Sequence, residues 1–258
     1  MVIRRIREHV MHHNWFAVAI DLAIVIAGVF LGTQVSNWNQ QRLSRDQANE
    51  DRAMLIDDLE ANQQNLATRR HYYDWVHDAA LKTLAALDRP ASTLGDQFLI
   101  DAYQASQILP WSLKRNTYDE IQSTGRVAAL GSPALRSKIT NYYVTSQVTG
   151  ENLETTMPYH DILRRFMPYA AQRAIRAACN EKITEDPRGQ AVMVLPTGCT
   201  LQIDPAVARS AIDEVRTAPG LALDLNRLLV DLDQKILSTS VITRRAVTLE
   251  ATLKQESH

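Results

Sequence analysis

The feature that most constrains this chain is an apolar run near its N-terminus. Residues 15–35 read WFAVAIDLAIVIAGVFLGTQV, and no Lys or Arg occurs between Arg7 and Arg42. An α-helix rises about 1.5 Å per residue, so a run of this length covers about 30 Å, the thickness of the hydrocarbon core of a bilayer. The run therefore predicts a membrane-spanning helix, which we place at residues 14–36.

Aromatic and amide side chains mark the two ends of this run. Trp15 and Trp38 are separated by about 35 Å of helix, close to the distance between the two headgroup layers of a bilayer. The polar stretch SNWNQQR, residues 36–42, follows the apolar run at once. We interpret it as an interfacial collar in which side chains bond to headgroups and water. The predicted membrane-interface anchors are Trp15, Asn37, Trp38, Asn39 and Arg42.

A cleaved signal peptide is the main alternative to an anchor. Its apolar core is usually about 7–15 residues long and is followed by a small-x-small cleavage site. The run here is longer and no convincing site follows it, so we expect an uncleaved, single-pass anchor. Three Arg precede the span and three follow it, the latter diluted by acidic residues. We expect residues 1–13 in the cytoplasm and residues 37–258 in the periplasm, on a bacterial inner membrane.

One face of the predicted span carries small and polar residues. Gly28 and Gly32 form a GxxxG pair, which allows two helix backbones to approach closely. Asp21 lies on the same face, turned away from lipid, and an aspartate within a span usually hydrogen-bonds inside a helix interface. The alternative is that GxxxG arose by chance, as it does in many spans. The predicted helix–helix interface consists of Ala17, Asp21, Ile24, Gly28 and Gly32.

The two cysteines give an independent indication of compartment. Cys179 and Cys199 flank a loop-rich segment, and a disulfide closing it would stabilise the fold by about 3 kcal/mol on the chain-entropy account. Disulfides persist in oxidising compartments such as the periplasm. We predict a disulfide, and the alternative is two unrelated buried thiols.

The rest of the chain has few helix breakers, since it contains nine Gly and nine Pro. We predict a mainly α protein: one transmembrane helix, then an extramembrane α-helical bundle with one small β-hairpin. The first outer helix runs to Pro90, with Leu59, Leu66 and Tyr73 in one heptad column and a mixed column beside it. Further predicted helices cover residues 95–128 broken at Pro110, 133–156 capped by Ser132, 159–181 kinked at Pro168, one starting at Asp204-Pro205, and 221–255. The predicted hairpin pairs AVMVL, residues 191–195, with CTLQI, residues 199–203.

The collar resembles the start of a family of bacterial single-span proteins classed as a domain of unknown function. That family's pattern is G-x-x-x-G, then Q-x-x-N-W-N and an Arg, after a basic tail and an apolar span. A second block, Y-[DE]-E-L-x-x-[ST]-G, is similar to residues 118–125, where Ile121 replaces the usual Leu. The resemblance implies a membrane location and a helical outer domain, and it implies no activity. The matching residues are Gly28, Gly32, Gln34, Asn37, Trp38, Asn39, Arg42, Tyr118, Asp119, Glu120, Thr124 and Gly125.

No sequence motif indicates catalysis. The chain contains no P-loop, no dinucleotide-binding motif G-x-G-x-x-G and no zinc-protease motif H-E-x-x-H. It also contains no C-x-x-C and no serine-hydrolase motif G-x-S-x-G. His9, His12 and His13 cluster before the span, where a headgroup location is favoured over a metal site. Asp119 and Glu120 are expected to pair with Arg115 or Arg126, and the pairs Arg164-Arg165 and Arg244-Arg245 to be solvated. We expect no cofactor and no metal.

Three functions fit these observations. The first is a non-enzymatic, membrane-anchored interaction or scaffold protein, such as an accessory subunit of an inner-membrane complex. Its partners would be the lipid bilayer and either itself or other inner-membrane proteins. The second is a periplasmic ligand-binding sensor that signals through a partner chain. The third is an envelope hydrolase with an unrecognised site. A net charge of -1 argues against a nucleic-acid partner.

Overall fold

A single helix carries the predicted span and the first part of the outer domain. The computed structural model describes residues 15–154, 157–185, 191–196 and 198–256, without the side chains of residues 16–18 and 191–192. Helix α1 runs from Trp15 to Leu87, 73 residues or about 110 Å. It passes without a break through residues 36 and 37, where we predicted the membrane boundary. The collar is therefore a change of surface chemistry and not a change of backbone.

The remaining elements follow α1 in short succession, and the structure is mainly helical with one small antiparallel sheet. Helix α1 is followed by α2 Asp96–Ala105, α3 Asn116–Ser123, α4 Pro133–Leu153, α5 Pro158–Phe166, α6 Tyr169–Cys179, β1 Lys182–Glu185, β2 Ala191–Val194, α7 Pro205–Arg216 and α8 Leu221–Glu256. Short 3₁₀ turns span Ala91–Thr93 and Arg126–Ala129.

The outer half of α1 and the whole of α8 form an antiparallel pair at the centre of the bundle. At the end nearer the span, Arg52 Nη1 donates to the carbonyl oxygen of Glu256 at 2.7 Å. At the far end, His77 Nε2 lies 3.3 Å from a carboxylate oxygen of Asp233. The other helices pack around this pair, so α8 ends at the end of the domain nearer the predicted span.

Two apolar clusters form the core. The cluster nearer the span includes Leu55, Leu59 and Leu66, and the farther one includes Tyr72 and Val76. The predicted heptad column is buried at Leu59, Leu66 and Tyr73, as expected. The mixed column beside it is equally buried. Its members are Leu55, Asn62, Arg69, Val76 and Thr83.

Two predicted helix starts are confirmed by their hydrogen bonds. The Oγ of Ser132 accepts from the amide of Leu135 at 3.1 Å. A carboxylate oxygen of Asp204 accepts from the amide of Ala206 at 2.7 Å. In both cases a proline occupies the first helical position, where its missing N–H is not needed.

The predicted breaks are wider than single residues. Helix α2 ends at Ala105, ahead of Pro110, and a segment without regular secondary structure at residues 107–115, here called the strap, leads to α3. Pro168 separates α5 from α6 instead of kinking one helix. Proline removes a backbone donor and disfavours helical geometry in the residue before it, and both effects act at the end of α5, where Met167 before Pro168 is extended.

The predicted hairpin partner is wrong. The strand Ala191–Val194 exists, but it pairs with Lys182–Glu185, which precedes it, and the pairing sets Ile183 opposite Met193. Residues 199–203 form no strand. Their first residue is bonded to Cys179 and Leu201 is buried, so this segment lies against the core and is not free to pair. The turn between the strands lies outside the described residues.

Candidate functional site: the span face and its supports

The predicted span makes no packing contact with the rest of the described chain. Every side chain described between Trp15 and Asp46 is exposed. The most apolar stretch of α1 has a mean hydropathy of 1.8, and none of it is buried. By length and composition this helix is apolar enough to cross a membrane. The large exposed residues include Val25 at 62%, Phe30 at 59% and Val35 at 64%. No described part of the chain covers this surface, and any covering would come from outside the fold.

The predicted interface residues are open to such a covering. Gly28 and Gly32 have no atom within 4 Å of where a Cβ would stand. Asp21 and Ile24 are exposed on the same helix. The side chain of Ala17 lies outside the described part of the structure. Backbone approach at the two glycines is thus unobstructed by any described part of the chain.

The glycine face points away from the outer domain. Gly32 precedes the fully buried Leu59 by 27 residues, which is about seven and a half helical turns, so the two lie on opposite sides of a straight helix. Trp38 precedes Leu59 by 21 residues, about six turns, and lies near the side that carries the bundle. A second helix could approach Gly28 and Gly32 without meeting the outer domain.

The collar side chains leave the backbone undisturbed. Trp15 and Trp38 are 73% and 67% exposed. Asn37 and Asn39 are exposed, and Arg42 lies 3.9 Å from Asp46 in an i,i+4 pair. An exposed pair of this kind contributes little to stability. These residues remain predicted interface anchors, and no described contact gives them another role.

The second resemblance block stabilises the outer domain. The Tyr118 ring stacks on that of Tyr143, with centroids 4.4 Å apart. Asp119 pairs with Arg115 at 2.8 Å and Glu120 with Arg126 at 3.0 Å, as predicted.

The same block ends at a glycine whose conformation matters. Thr124 Oγ1 donates to the carbonyl oxygen of Glu120 at 2.7 Å. Gly125 follows with φ at 72°, a left-handed conformation that favours glycine at the end of a helix. All matching residues of this block therefore have structural roles in the described fold.

The strap is held against α1 by two buried polar side chains. Asn62 Nδ2 donates to the carbonyl oxygen of Lys114 at 2.8 Å, and Asn62 Oδ1 accepts from the Lys114 amide at 2.6 Å. Arg69 Nη2 donates to the carbonyl oxygen of Pro110 at 2.6 Å. The Trp111 ring lies 5.1 Å from the Arg69 guanidinium. Asn62 and Arg69 thus replace the helical partners that the strap backbone lacks.

A polar layer separates the two apolar clusters. On α1 it contains Arg69, and on α8 it contains Lys235 and Thr239, all buried. Burial lowers the pKa of Arg69, and it lowers the pKa of Lys235 to about 8. The Lys235 ammonium lies 5.7 Å from the Tyr73 ring centre. These shifts arise from desolvation inside a structural layer, and they do not by themselves indicate catalysis.

The two cysteines are bonded in the structure. Cys179 ends α6, and its Cα lies 5.5 Å from that of Cys199. The bond ties the segment after the hairpin to the core beside α2, where Gln104 donates to the Cys179 carbonyl oxygen at 2.6 Å.

The predicted histidine cluster, His9, His12 and His13, lies outside the described residues. Among the residues that the structure describes, no group of three or more potential ligands could hold a metal.

Arg164 was predicted to be solvated and is instead half-buried, with its guanidinium 4.1 Å from the ring centre of Tyr103. The packing of α5 against α2 causes this difference.

Sequence reasoning missed an apolar column on the outer face of α8. The inward face of α8 carries an apolar stripe in which Leu225, Leu228 and Leu232 are buried. Three further aliphatic residues repeat at intervals of seven on the exposed side, and that spacing was the signal available in the sequence. They are Leu223, Val230 and Leu237, at 74%, 67% and 59% exposure.

Comparison with known proteins assigns no relative. No protein-family model, no curated protein and no solved structure matches this chain. The resemblance to single-span proteins of unknown function therefore remains a prediction.

Proposed function

We propose that this chain is a membrane-anchored, non-enzymatic interaction protein that associates with other inner-membrane proteins, or with itself, through its N-terminal span. The observation that carries the proposal is the exposure of every described side chain of α1 from Trp15 to Asp46. A helix so apolar and so uncovered requires lipid, and the face with Gly28 and Gly32 is shaped for a second helix. An accessory subunit of a larger complex is the specific form we favour.

Two further features support a location outside the cytoplasm for the helical domain. The Cys179–Cys199 disulfide suits an oxidising compartment. The Arg residues before the span favour a cytoplasmic N-terminus. The proposed arrangement is a single-pass inner-membrane protein whose bundle stands in the periplasm.

Co-purification from native membranes tests the proposal. The protein, tagged at its C-terminus, is extracted in mild detergent, sized, and its companions are identified by mass spectrometry. We expect stoichiometric membrane proteins, or a defined homo-oligomer, that are lost in a Gly28→Leu/Gly32→Leu variant. The matched control is Ala23→Leu/Ala27→Leu, which places two leucines in the same span away from the glycine face and adds one methyl group less per site. A monomer without companions in the unmodified protein would contradict the proposal.

A further inference from the structure

A groove on the outer domain is lined by positively charged residues that have no part in the proposed function. It lies between α4 and α8, has a volume of about 510 Å³, and is here called the α4–α8 groove. One face of each helix lines it: Lys138, Asn141, Tyr142 and Thr145 from α4, and Arg244, Arg245, Thr248 and Leu249 from α8. A volume of this size is typical of sites for small organic ligands.

The floor and the rim of the groove differ in character. Tyr142 and Leu249, which are 2% and 3% exposed, form an apolar floor. Lys138, Arg244 and Arg245 are exposed and carry three positive charges. No acidic side chain of the described part of the chain lines the groove. The arrangement therefore combines a hydrophobic base with a concentrated positive rim.

The three cations also lack the acidic neighbours that several other cations of the protein have. Arg70, Arg115 and Arg227 each pair with an aspartate one helical turn away. No acid stands three or four residues from Lys138, Arg244 or Arg245 in the sequence. Among the described residues none of the three forms an ion pair. Like charges gathered in this way repel one another, and a bound anion would relieve that repulsion.

The chemistry of the rim indicates what kind of anion fits. Two guanidinium groups can each present paired N–H donors to the oxygens of a phosphate or carboxylate. Thr145 and Asn141 add a hydroxyl and an amide at the edge of the same groove. A ligand with at least two anionic groups would contact both helices at once.

The distance of the groove from the predicted membrane interface favours a soluble ligand over a lipid headgroup. Arg70 Nη1 donates to Ser240 Oγ at 2.7 Å, and Gln63 bonds to Glu250, so Arg245 lies level with Leu66 on α1. From Trp38 to Leu66 the continuous helix rises about 42 Å. With Trp38 at the interface, headgroups of the same bilayer do not reach the groove.

We infer that the α4–α8 groove is a binding site for a soluble, compact organic anion that carries two or more phosphate or carboxylate groups. This inference goes beyond the proposed function, because it gives the outer domain a ligand of its own. It stands independently of whether the span recruits a partner.

Calorimetric titration of the full chain in phosphatidylcholine nanodiscs tests the inference, with pyrophosphate and citrate as the probes. We expect saturable binding of at least one probe. An Arg244→Gln/Arg245→Gln variant is expected to weaken it by about tenfold or more, since each arginine loses a charge-assisted hydrogen bond. Arg209→Gln, which removes one positive charge from the exposed face of α7 outside the groove, is the control and should leave the affinity unchanged.

Circular dichroism of each variant before titration separates loss of binding from loss of folding. A second set of nanodiscs containing phosphatidylglycerol distinguishes the two sources of anion. If the groove takes lipid headgroups, these discs abolish probe binding, and the soluble-ligand inference is overturned. No saturable binding of either probe to the unmodified protein, or equal affinity in the double variant, overturns it as well.

Discussion

Asp51 and Arg126 lie 75 residues apart in the sequence and are joined by two hydrogen bonds. Arg126 Nε donates to Asp51 Oδ2 at 2.9 Å, and Nη2 donates to Oδ1 at 3.2 Å. The Asp51 side chain is 1% exposed, and Gln47 donates to the same carboxylate at 3.1 Å. This contact joins α1 to the residue that follows the second resemblance block, at the end of the bundle nearer the predicted span.

Replacing Asp51 with Asn should destabilise the outer domain, because it removes the negative charge that compensates Arg126. We expect the midpoint of thermal unfolding, followed by far-ultraviolet circular dichroism, to fall by about 5 °C. Asp57→Asn, an exposed change on the same helix, is the control and should have little effect. Equal shifts in the two variants would show that the ion pair contributes nothing measurable.

Replacing Asn62 with Leu should loosen the strap. The change leaves the amide and carbonyl of Lys114 without the partners that Asn62 provides. We expect a loss of roughly 2 kcal/mol in the free energy of unfolding, measured by denaturant titration. Gln64→Leu, on the exposed side of α1, is the control. Unchanged stability in Asn62→Leu would contradict the role assigned to this side chain.

Adding one methyl group at Gly150 should displace the Trp111 ring. A Cβ there would overlap the ring, whereas one at Gly95 would meet nothing within 4 Å. We expect Gly150→Ala to lower stability by about 1–3 kcal/mol and to shift the tryptophan fluorescence, with Gly95→Ala as the control. Identical spectra and stabilities for the two variants would rule out this close packing.

The buried Lys235 predicts a specific pH dependence. Its pKa falls to about 8 because burial disfavours the charged form, with Arg69 acting in the same direction and Asp231 and Glu154 opposing it. The unfolded chain keeps its ordinary value near 10.5. Between these values the unfolded state binds more protons, so this residue makes stability rise with pH from about 8 to about 10.5.

A Lys235→Met variant isolates that contribution. Methionine retains the apolar stem and removes the desolvation penalty. We expect the variant to be more stable than the unmodified protein at pH 7, with the difference shrinking as the pH rises through this window. A difference that stays constant from pH 7 to pH 10.5 would refute the assigned cause.

Much of the fold was predictable because its signals are local. The helix starts at Ser132 and Asp204 depend on a cap residue followed by proline, and both are where the sequence placed them. The apolar columns of α1 and α8 likewise follow from spacing alone. These features require no knowledge of distant contacts.

The errors arose where distant contacts decide the outcome. The strap replaces the helix expected before Pro110, and its partners Asn62 and Arg69 lie about 40–50 residues earlier in the chain. The second strand of the hairpin was misplaced because the Cys179–Cys199 bond draws residues 199–203 onto the core. In the α4–α8 groove, Lys138 and Arg244 are 106 residues apart in the sequence, so no local sequence pattern could predict that they line the same groove.

Photo-crosslinking along the span tests the central claim most directly. A photoreactive residue is placed at Val25 or Val35, beside the glycine face, and at Ile26 or Phe30 on the other side of the helix. All four positions are similarly exposed, at 62%, 64%, 60% and 59% respectively. A span that binds a partner helix through Gly28 and Gly32 should yield protein adducts in native membranes at Val25 and Val35 only. Lipid adducts alone, or equal protein adducts at all four positions, would contradict it.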